Sequence, residues 1–268
     1  MKKRLIAVLI LRDGQVVQSI RFKHTNVIHY DPLHAMEAFN KWSVDEIVLL
    51  NVSRAVDSQA AFAQSVEHVS RHCFVPLSVG GWVNDAAYAR ELLSRGADKL
   101  VLNTAFADDP ELVQILSRRF GRQCIVASID VKRDDEGNVR VAVDRGGRLL
   151  DEPPIAWARK VQSLGAGEIF FNSVDHDGAR KGYDIESIKA IAEAVEVPLI
   201  AFGGVFTWAH LLAGIAAGAD AVAAANIFHY TEQATRKAKS FLASAGVPVR
   251  SEGQIHAPAL PLSAKAAS

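Results

Sequence analysis

Short apolar runs alternate with amphipathic segments along the chain, and one such unit occurs twice. The stretch 75–104, VPLSVGGWVNDAAYARELLSRGADKLVLNT, recurs at 197–226 as VPLIAFGGVFTWAHLLAGIAAGADAVAAAN. Each copy contains an apolar run, a Gly-Gly pair, a helical pattern, Gly-Ala-Asp and a second apolar run. This order predicts strand, helix and strand, with parallel strands buried on both faces. The repeat indicates a chain of two similar halves.

The offset between the copies, 122–123 positions, also relates other strand starts of the two halves. Eight β/α units in about 250 residues are typical of the α/β class with a (βα)8 TIM barrel fold, here with an internal two-fold half-barrel repeat. An open doubly wound sheet is the alternative, but no G-x-G-x-x-G follows the first strand. We predict a single barrel over residues 1–250 and a flexible C-terminal tail over 251–268.

The pattern places each element. Strands are predicted at Arg4–Ile10, Glu46–Asn51, Val75–Val79, Lys99–Asn103, Ile125–Asp130, Glu168–Ser173, Pro198–Phe202 and Ala221–Ala225. Helices are predicted from Pro32, at Asp57–Arg71, at Asn84–Arg95, from Asp109, and at Ile155–Leu164, Ile185–Ala194, Trp208–Ala217 and Glu232–Ala243. Residues 11–31 are expected to form a long loop, and residues 138–143 belong to a predicted hairpin; both lie over the carboxyl ends of the strands.

Composition narrows the function classes. Thirty basic and thirty acidic residues cancel, so no nucleic-acid or membrane partner is indicated. The start MKKRLIAVLI is interpreted as a barrel strand because its apolar run is short and leads into Arg12-Asp13-Gly14. Cys73 and Cys124 are far apart in sequence, which favours buried, reduced thiols and a cytoplasmic protein.

Barrel enzymes carry their chemistry at the carboxyl ends of the strands. Asp130 is the carboxylate within a strand end, and it could act as a general acid or base or pair with Lys132 or Arg133. The two Gly-Gly turns, each matched with polar residues after the next strand, predict two phosphate sites. Their residues are Gly80, Gly81, Asn103, Thr104, Gly203, Gly204, Ala225 and Asn226. Asp175-His176-Asp177 could hold a metal, but a polar loop is favoured, and no metal or cofactor is expected.

Seven motifs together carry a family resemblance. They are RDGQVV (12–17), DEIVLLNVS (45–53), VPLSVGG (75–81), GADKLVLNTA (96–105), QCIVASIDVKR (123–133), GAGEIFFNSVDHDG (165–178) and GADAVAAANIFH (218–229). In order and spacing they closely resemble the cyclase subunit of imidazole glycerol phosphate synthase, from Arg4 to about Arg250. The resemblance implies a substrate with two phosphates, held also by Asp177, and ammonia delivered through the barrel by a separate glutaminase subunit in a heterodimer.

The resemblance also implies two catalytic aspartates, one at the end of strand one and one at the end of strand five. Asp130 matches the second, but Ile10 occupies the first position. An aliphatic side chain cannot transfer a proton. Further departures from the family pattern are Gln18, Asn51, Trp82, Asn172 and Phe202. These substitutions indicate that the catalytic face differs from that of the family.

The opposite end of the barrel keeps the family pattern. The family gates its ammonia tunnel with four charged residues, and the matching residues are Arg4, Glu46, Lys99 and Glu168. Asp98 matches a residue of the surface that docks the glutaminase. The other interpretation of these charges is a ring of stabilising salt bridges at the strand starts.

Three hypotheses follow. The first is a subunit that docks a glutaminase and channels ammonia to a different acceptor, such as a separate sugar amidotransferase in acetamidino-sugar or O-antigen (lipopolysaccharide) biosynthesis. The second is a genuine cyclase of histidine biosynthesis, which makes imidazole glycerol phosphate and AICAR from PRFAR and ammonia with Asp130 helped by Asp177. The third is a non-catalytic activator of the glutaminase.

Overall fold

A closed barrel of eight parallel strands forms the centre of the molecule. The computed structural model describes residues 2–55 and 58–250. In chain order, the strands are β1 (Arg4–Arg12), β2 (Gln15–Ile20), β3 (His24–His29), β4 (Glu46–Asn51), β5 (Leu77–Gly80), β6 (Lys99–Leu102), β7 (Ile125–Arg133), β8 (Val139–Val143), β9 (Arg148–Leu149), β10 (Glu168–Ser173), β11 (Leu199–Phe202) and β12 (Ala221–Ala224). The barrel order is β1, β4, β5, β6, β7, β10, β11 and β12, and β12 pairs with β1. The predicted TIM barrel is confirmed.

Helices lie between the barrel strands. They are α1 (Pro32–Lys41), α2 (Ser58–Ser70), α3 (Ala86–Ser94), α4 (Thr104–Asp108), α5 (Pro110–Phe120), α6 (Pro154–Ser163), α7 (Ile185–Ala192), α8 (Trp208–Ala216), α9 (Asn226–Tyr230) and α10 (Ala234–Ser244), with a short 3-10 helix at Arg122–Cys124. Asp109 caps α5, because its carboxylate accepts from the Leu112 N–H at 2.9 Å, as the Asp-Pro pair predicts. The predicted helix start at Asp57 and the predicted tail lie outside the described residues.

The two sequence repeats make the same hydrogen bonds. In the first half, the Asp98 carboxylate accepts from the Leu77 N–H at 2.8 Å. In the second half, the Asp220 carboxylate accepts from the Leu199 N–H at 3.1 Å. Each aspartate of a Gly-Ala-Asp motif thus fixes the start of the preceding strand. The internal duplication is therefore visible in the bonding as well as in the sequence.

Apolar side chains fill the barrel and also the layer between strands and helices. The interior cluster includes Ile6, Val8, Ile10, Val48, Val101, Val126, Phe170, Ile200 and Phe202. The outer cluster joins the other face of the strands to the helices, with Phe39 and Trp157 among its buried members. Since both faces of each barrel strand are buried, the strands are continuous apolar runs.

Two antiparallel extensions stand over the carboxyl ends of the strands. The segment predicted as a loop at 11–31 instead forms β2 and β3, which pair with each other and with the end of β1. That prediction was wrong because the turn between β2 and β3 lacks the usual glycine or asparagine: Arg21 and Phe22 adopt left-handed φ values of 52° and 58°. The second extension, β8 and β9, continues from β7 and confirms the predicted hairpin.

The final helix is locked to the first strands by a buried ion pair. Lys239 of α10 lies 2.6 Å from the Asp45 carboxylate, and both side chains are buried. The other oxygen of Asp45 accepts from the Leu5 N–H of β1 at 2.8 Å. Thr235 adds a hydrogen bond of 2.6 Å to the Trp42 carbonyl. This ion pair therefore connects the last helix of the described chain with its first strands.

Two further sequence expectations concern location. No helix in the described ranges 2–55 and 58–250 combines the length and the apolar character needed to cross a membrane. Cys73 and Cys124 are free thiols, but they are half-buried and not fully buried as expected. Burial comes first among the factors that raise the pKa of the Cys73 thiol to about 11, so this thiol stays protonated and unreactive near neutral pH.

Candidate functional site

The amino end of the barrel carries a closed ring of four charges. Each member is the first residue of a barrel strand: β1, β4, β6 or β10. The ion pairs are Arg4 Nη1 with Glu46 Oε1 at 2.7 Å, Arg4 Nη2 with Glu168 Oε1, Lys99 Nζ with Glu168 Oε2 at 2.8 Å, and Lys99 Nζ with Glu46 Oε2 at 3.4 Å. The structure thus brings together all four residues predicted to form the ammonia gate, and their charges cancel.

Burial makes this ring unlike a surface salt bridge. The side chains of Glu46 and Glu168 are only 7% and 6% exposed. Burial acts to lower the pKa of Arg4, but the charges and hydrogen bonds of Glu168 and Glu46 together raise that pKa above its usual value. The guanidinium is therefore held permanently charged in a partly desolvated position. Asp98, the predicted docking residue, is exposed near the same end of the barrel, beside Lys99.

The carboxyl end of the barrel opens into two adjoining cavities. The first, of about 650 Å³, is lined by Ile10 and Asp130 and by the predicted phosphate residues Gly80, Gly81, Asn103 and Thr104. The second, of about 460 Å³, is lined by Asp177, Gly203, Gly204, Ala225 and Asn226. Phe202 borders both cavities. The structure therefore separates the predicted phosphate residues into two groups that follow the two halves of the barrel, whereas Asp130, from the second half, lines the first cavity.

Asp130 is a buried carboxyl group with a raised pKa. It is 8% exposed, and burial, followed by the negative charge of Asp177, raises its pKa to about 7. The Asn103 amide donates to Asp130 at 3.2 Å, which connects the candidate acid with a predicted phosphate residue. A carboxyl group that titrates near neutral pH can both donate and accept a proton.

Ile10 stands where the resemblance implies the partner of Asp130, and the structure places it in apolar surroundings. Ile10 is 5% exposed and packs in the interior cluster. Phe202 also belongs to this cluster, and its ring centre lies 5.0 Å from that of Phe170. Phe202 thus points into the barrel, where the two aromatic rings narrow the mouth. Sequence periodicity could not give this direction, because both faces of β11 are buried.

Asp177 is the other buried carboxylate at this end. Its pKa is raised by burial, while hydrogen bonds from Ser19 and from backbone N–H groups act in the opposite direction. The Ser19 hydroxyl donates to it at 2.6 Å. Ser19 lies on β2, in the segment expected to be a loop, and so it was missed at the level of sequence. Its neighbours Asp175 and His176 bond to the Arg133 N–H and the Gly182 carbonyl, each at 2.8 Å, and thereby hold the loop.

The glycine turns have no room for a side chain. A Cβ at Gly81 would lie 2.4 Å from the Asn51 carbonyl oxygen, and one at Gly204 would lie 2.3 Å from the Gly182 carbonyl oxygen. Both residues have positive φ, 119° and 84°. Close backbone packing and a positive φ therefore both require glycine at these two positions. The assignment of these turns to phosphate stays a prediction.

Replacing Gly81 with alanine is expected to lower the free energy of unfolding by about 2 kcal/mol, because the new methyl group clashes with backbone in a strained conformation. Gly14→Ala is the matched control, since Gly14 has a φ of 77° but no atom within 4 Å of an added Cβ; strain alone then costs about 1 kcal/mol. Chemical denaturation measures both. Equal losses in the two variants would contradict the close packing at Gly81.

Two arginines at the mouth were also missed. Arg145, between β8 and β9, borders the first cavity, and Arg180, after β10, borders the second. The indole Nε1–H of Trp82 donates to the Ser53 carbonyl at 2.8 Å, which fixes the ring beside the first glycine turn. No sequence motif marks these arginines, because they come from loops without a periodic pattern.

The fold and the two-ended site define a class: a duplicated half-barrel protein with a charged ring at one end and paired cavities at the other. The profile of a family described as "Histidine biosynthesis protein" matches residues 4–234. The imidazole glycerol phosphate synthase subunit HisF of Thermococcus gammatolerans is 40% identical over 249 residues, 92% of this chain and 98% of that protein. The putative imidazole glycerol phosphate synthase subunit hisF2 of Vibrio vulnificus is 39% identical over 261 residues, 95% of this chain and 93% of that protein. The chain belongs to the HisF family of imidazole glycerol phosphate synthase subunits.

Proposed function

We propose that this HisF-family protein is a cytoplasmic subunit that docks a glutaminase, forms a heterodimer with it and takes up ammonia at the amino end of the barrel. The ammonia is passed to an acceptor other than the standard cyclase substrate. The observation that carries this proposal is the combination of a complete charged ring with Ile10 at the catalytic mouth. One end keeps the features of ammonia entry while the other lacks one member of the acid/base pair.

The geometry of the ring supports ammonia entry. Its two cations and two carboxylates alternate around the axis, and they sit directly below an apolar interior that includes Ile6 and Val48. The charged ring holds ammonium ions at the entrance, because moving an ion into the apolar interior has a large desolvation free energy. Neutral ammonia has a much smaller desolvation free energy and can enter. Asp98 provides an exposed carboxylate beside the ring for the glutaminase. On this proposal the ring selects the neutral species.

The mouth supports a changed acceptor. Ile10 cannot exchange a proton, and the aromatic side chains of Trp82 and Phe202 line the cavity and change its shape. A separate amidotransferase acting on a nucleotide-linked sugar, as in acetamidino-sugar steps of surface polysaccharide synthesis, is the acceptor that we propose. The two cavities leave room for a phosphorylated small molecule at the same end.

A second candidate is supported by the carboxylates themselves. Asp130 has a pKa of about 7, and Asp177 contributes to that shift through its charge. Asp177, held by Ser19, would then take the place of the missing strand-one aspartate. On this alternative the protein is a cyclase that makes imidazole glycerol phosphate and AICAR from PRFAR and ammonia.

Ammonium-dependent turnover of PRFAR by the purified chain separates the two candidates. We expect no measurable turnover by the unmodified chain. Ile10→Asp restores a proton-transferring group and is expected to raise turnover by about 100-fold over background. This is the low end for one acid/base group, because Trp82 and Phe202 remain. Ile10→Asn is the control, since it has the same size but cannot transfer a proton. Clear turnover by the unmodified chain would overturn the first proposal in favour of the second.

A further inference from the structure

Each glycine turn has an arginine lying over an aromatic ring beside it. The guanidinium carbon of Arg145 is 5.1 Å from the centre of the Trp82 ring. The guanidinium carbon of Arg180 is 4.9 Å from the centre of the Phe206 ring. Trp82 directly follows Gly81, and Phe206 comes two residues after Gly204. Stacking on an aromatic face attracts a guanidinium and limits its motion. Both halves of the mouth therefore present a positioned cation.

These contacts involve unfavourable backbone conformations. The φ values of Trp82, Arg145 and Arg180 are 58°, 58° and 61°. Residues with side chains seldom adopt this left-handed region, and a bulky aromatic residue there is a genuine outlier. Strain of this kind persists where the surroundings fix it, and it concentrates at ligand clamps. One or both members of each pair have this conformation, so the local backbone fixes where the ring and the guanidinium lie.

The two pairs are not simple copies left by the duplication. At the 122-residue offset, Arg145 corresponds to Lys23 and Arg180 corresponds to Ser58. The first arginine comes from the extension after β7, and the second comes from the loop after β10. The two cavities thus have arginines from two different loops, both in the second half of the chain. Because the two arginine–aromatic pairs do not correspond in the repeat, the duplication alone does not explain them. A requirement that both cavities share is the favoured explanation.

The chemistry of the arrangement suits an anion. A guanidinium stacked on a ring through one face keeps its edge N–H groups free for two parallel hydrogen bonds to phosphate. In Arg145 one edge group is already used, because Nη2 donates to the half-exposed Asp144 carboxylate of its own turn at 3.1 Å, and a phosphate must share or displace that contact. The Asp144 N–H donates to the Thr104 hydroxyl at 3.0 Å. The loop that carries Arg145 is therefore tied to a residue of the predicted phosphate site.

We propose that Arg145 and Arg180 are the anion-binding side chains of the two cavities, each binding one phosphate group beside its glycine turn. Trp82 and Phe206 hold the guanidinium groups in the plane that the phosphate requires. This inference rests on the proposed function, in which a phosphorylated molecule occupies the mouth. It adds that arginine side chains, besides the glycine turns, select the anionic groups of that molecule.

Titration of the full chain with inorganic phosphate tests the inference, with the amide resonances of Gly81 and Gly204 reporting the two cavities separately. Both resonances are expected to shift in the unmodified chain. Arg145→Ala should weaken binding at Gly81 by about tenfold and leave Gly204 unchanged, and Arg180→Ala should do the reverse. Arg145→Lys keeps the charge without the planar fork and should give an intermediate affinity.

Arg148→Ala is the matched control, because Arg148 is as exposed as Arg145 and lies in the same hairpin, where it pairs with Asp108. It should bind phosphate like the unmodified chain, and circular dichroism checks that every variant is folded. Unchanged binding in Arg145→Ala and Arg180→Ala would overturn the inference while the glycine turns remain phosphate sites. A failure of the unmodified chain to shift either resonance would instead overturn the phosphate sites of the proposed function, and the inference with them.

Discussion

Replacing Glu168 with glutamine is expected to lower the free energy of unfolding by about 3 kcal/mol. Glu168 accepts from both Arg4 and Lys99 and is 6% exposed. A neutral side chain keeps one hydrogen bond but leaves the two cations with Glu46 alone. Two partly buried positive charges then face one negative charge. For a barrel of this size the midpoint of thermal unfolding should fall by about 6–12 °C.

Glu67→Gln provides a matched comparison. Glu67 also bridges two basic residues, Arg71 and Arg95, but its side chain is 38% exposed. Water screens that pair of contacts, so the expected loss is below about 1 kcal/mol. Thermal and urea unfolding of both variants measure the difference. Similar small losses would mean that the ring at the amino end behaves as an ordinary surface network, contrary to its burial.

Replacing Asp130 with asparagine is expected to stabilise the protein at alkaline pH and to have little effect at pH 4. The pKa of Asp130 is about 7 in the folded chain against an ordinary value of 3.8. Between these values the folded state binds more protons than the unfolded state, so stability falls as pH rises. A difference of about three pKa units corresponds to about 4 kcal/mol above pH 7. Asparagine does not ionise, and it escapes this loss.

Urea unfolding from pH 4 to pH 8 measures this effect as the gap between Asp130→Asn and the unmodified chain. The gap should grow from pH 4 to about pH 7 and level off above that pH. Asp134→Asn is the control of opposite sign: desolvation works against it, but hydrogen bonds from Asn138 and Glu136 lower the pKa of Asp134 overall. Its ionised form stabilises the fold, so that variant should be less stable than the unmodified chain by an amount that is constant from pH 4 to pH 8 and shrinks only below pH 4. A gap at Asp130 that is independent of pH would contradict the raised pKa.

The barrel could be predicted because its signal is repeated and strong. The strands Glu46–Asn51 and Glu168–Ser173 have the bounds that the sequence predicts, since each is an apolar run that begins at a charged residue. The repeat then fixed the number of units. The four ring residues lie together because each is the first residue of a barrel strand. Closure of the barrel brings strand starts that are distant in sequence to one end.

The parts that could not be predicted lack a periodic signal. The strands β2 and β3 mix polar and apolar residues, and their turn has no glycine. The helices α4 and α9 have five residues each, fewer than a helical pattern needs. Arg145 and Arg180 come from loops, and their contacts with aromatic rings depend on loop conformation alone. Such conformations arise from tertiary contacts that local sequence does not encode.

The ion pair between Lys239 and Asp45 has a consequence for synthesis. Its partners are separated by 194 residues, so a growing chain has made Asp45 long before Lys239 leaves the ribosome. Until then the carboxylate has no cationic partner, and closing the barrel around it would bury an unpaired charge. A first half-barrel that packed without the last helix would therefore carry a buried carboxylate with no cation beside it. The neutralising charge for the start of the fold comes from the end of the described chain.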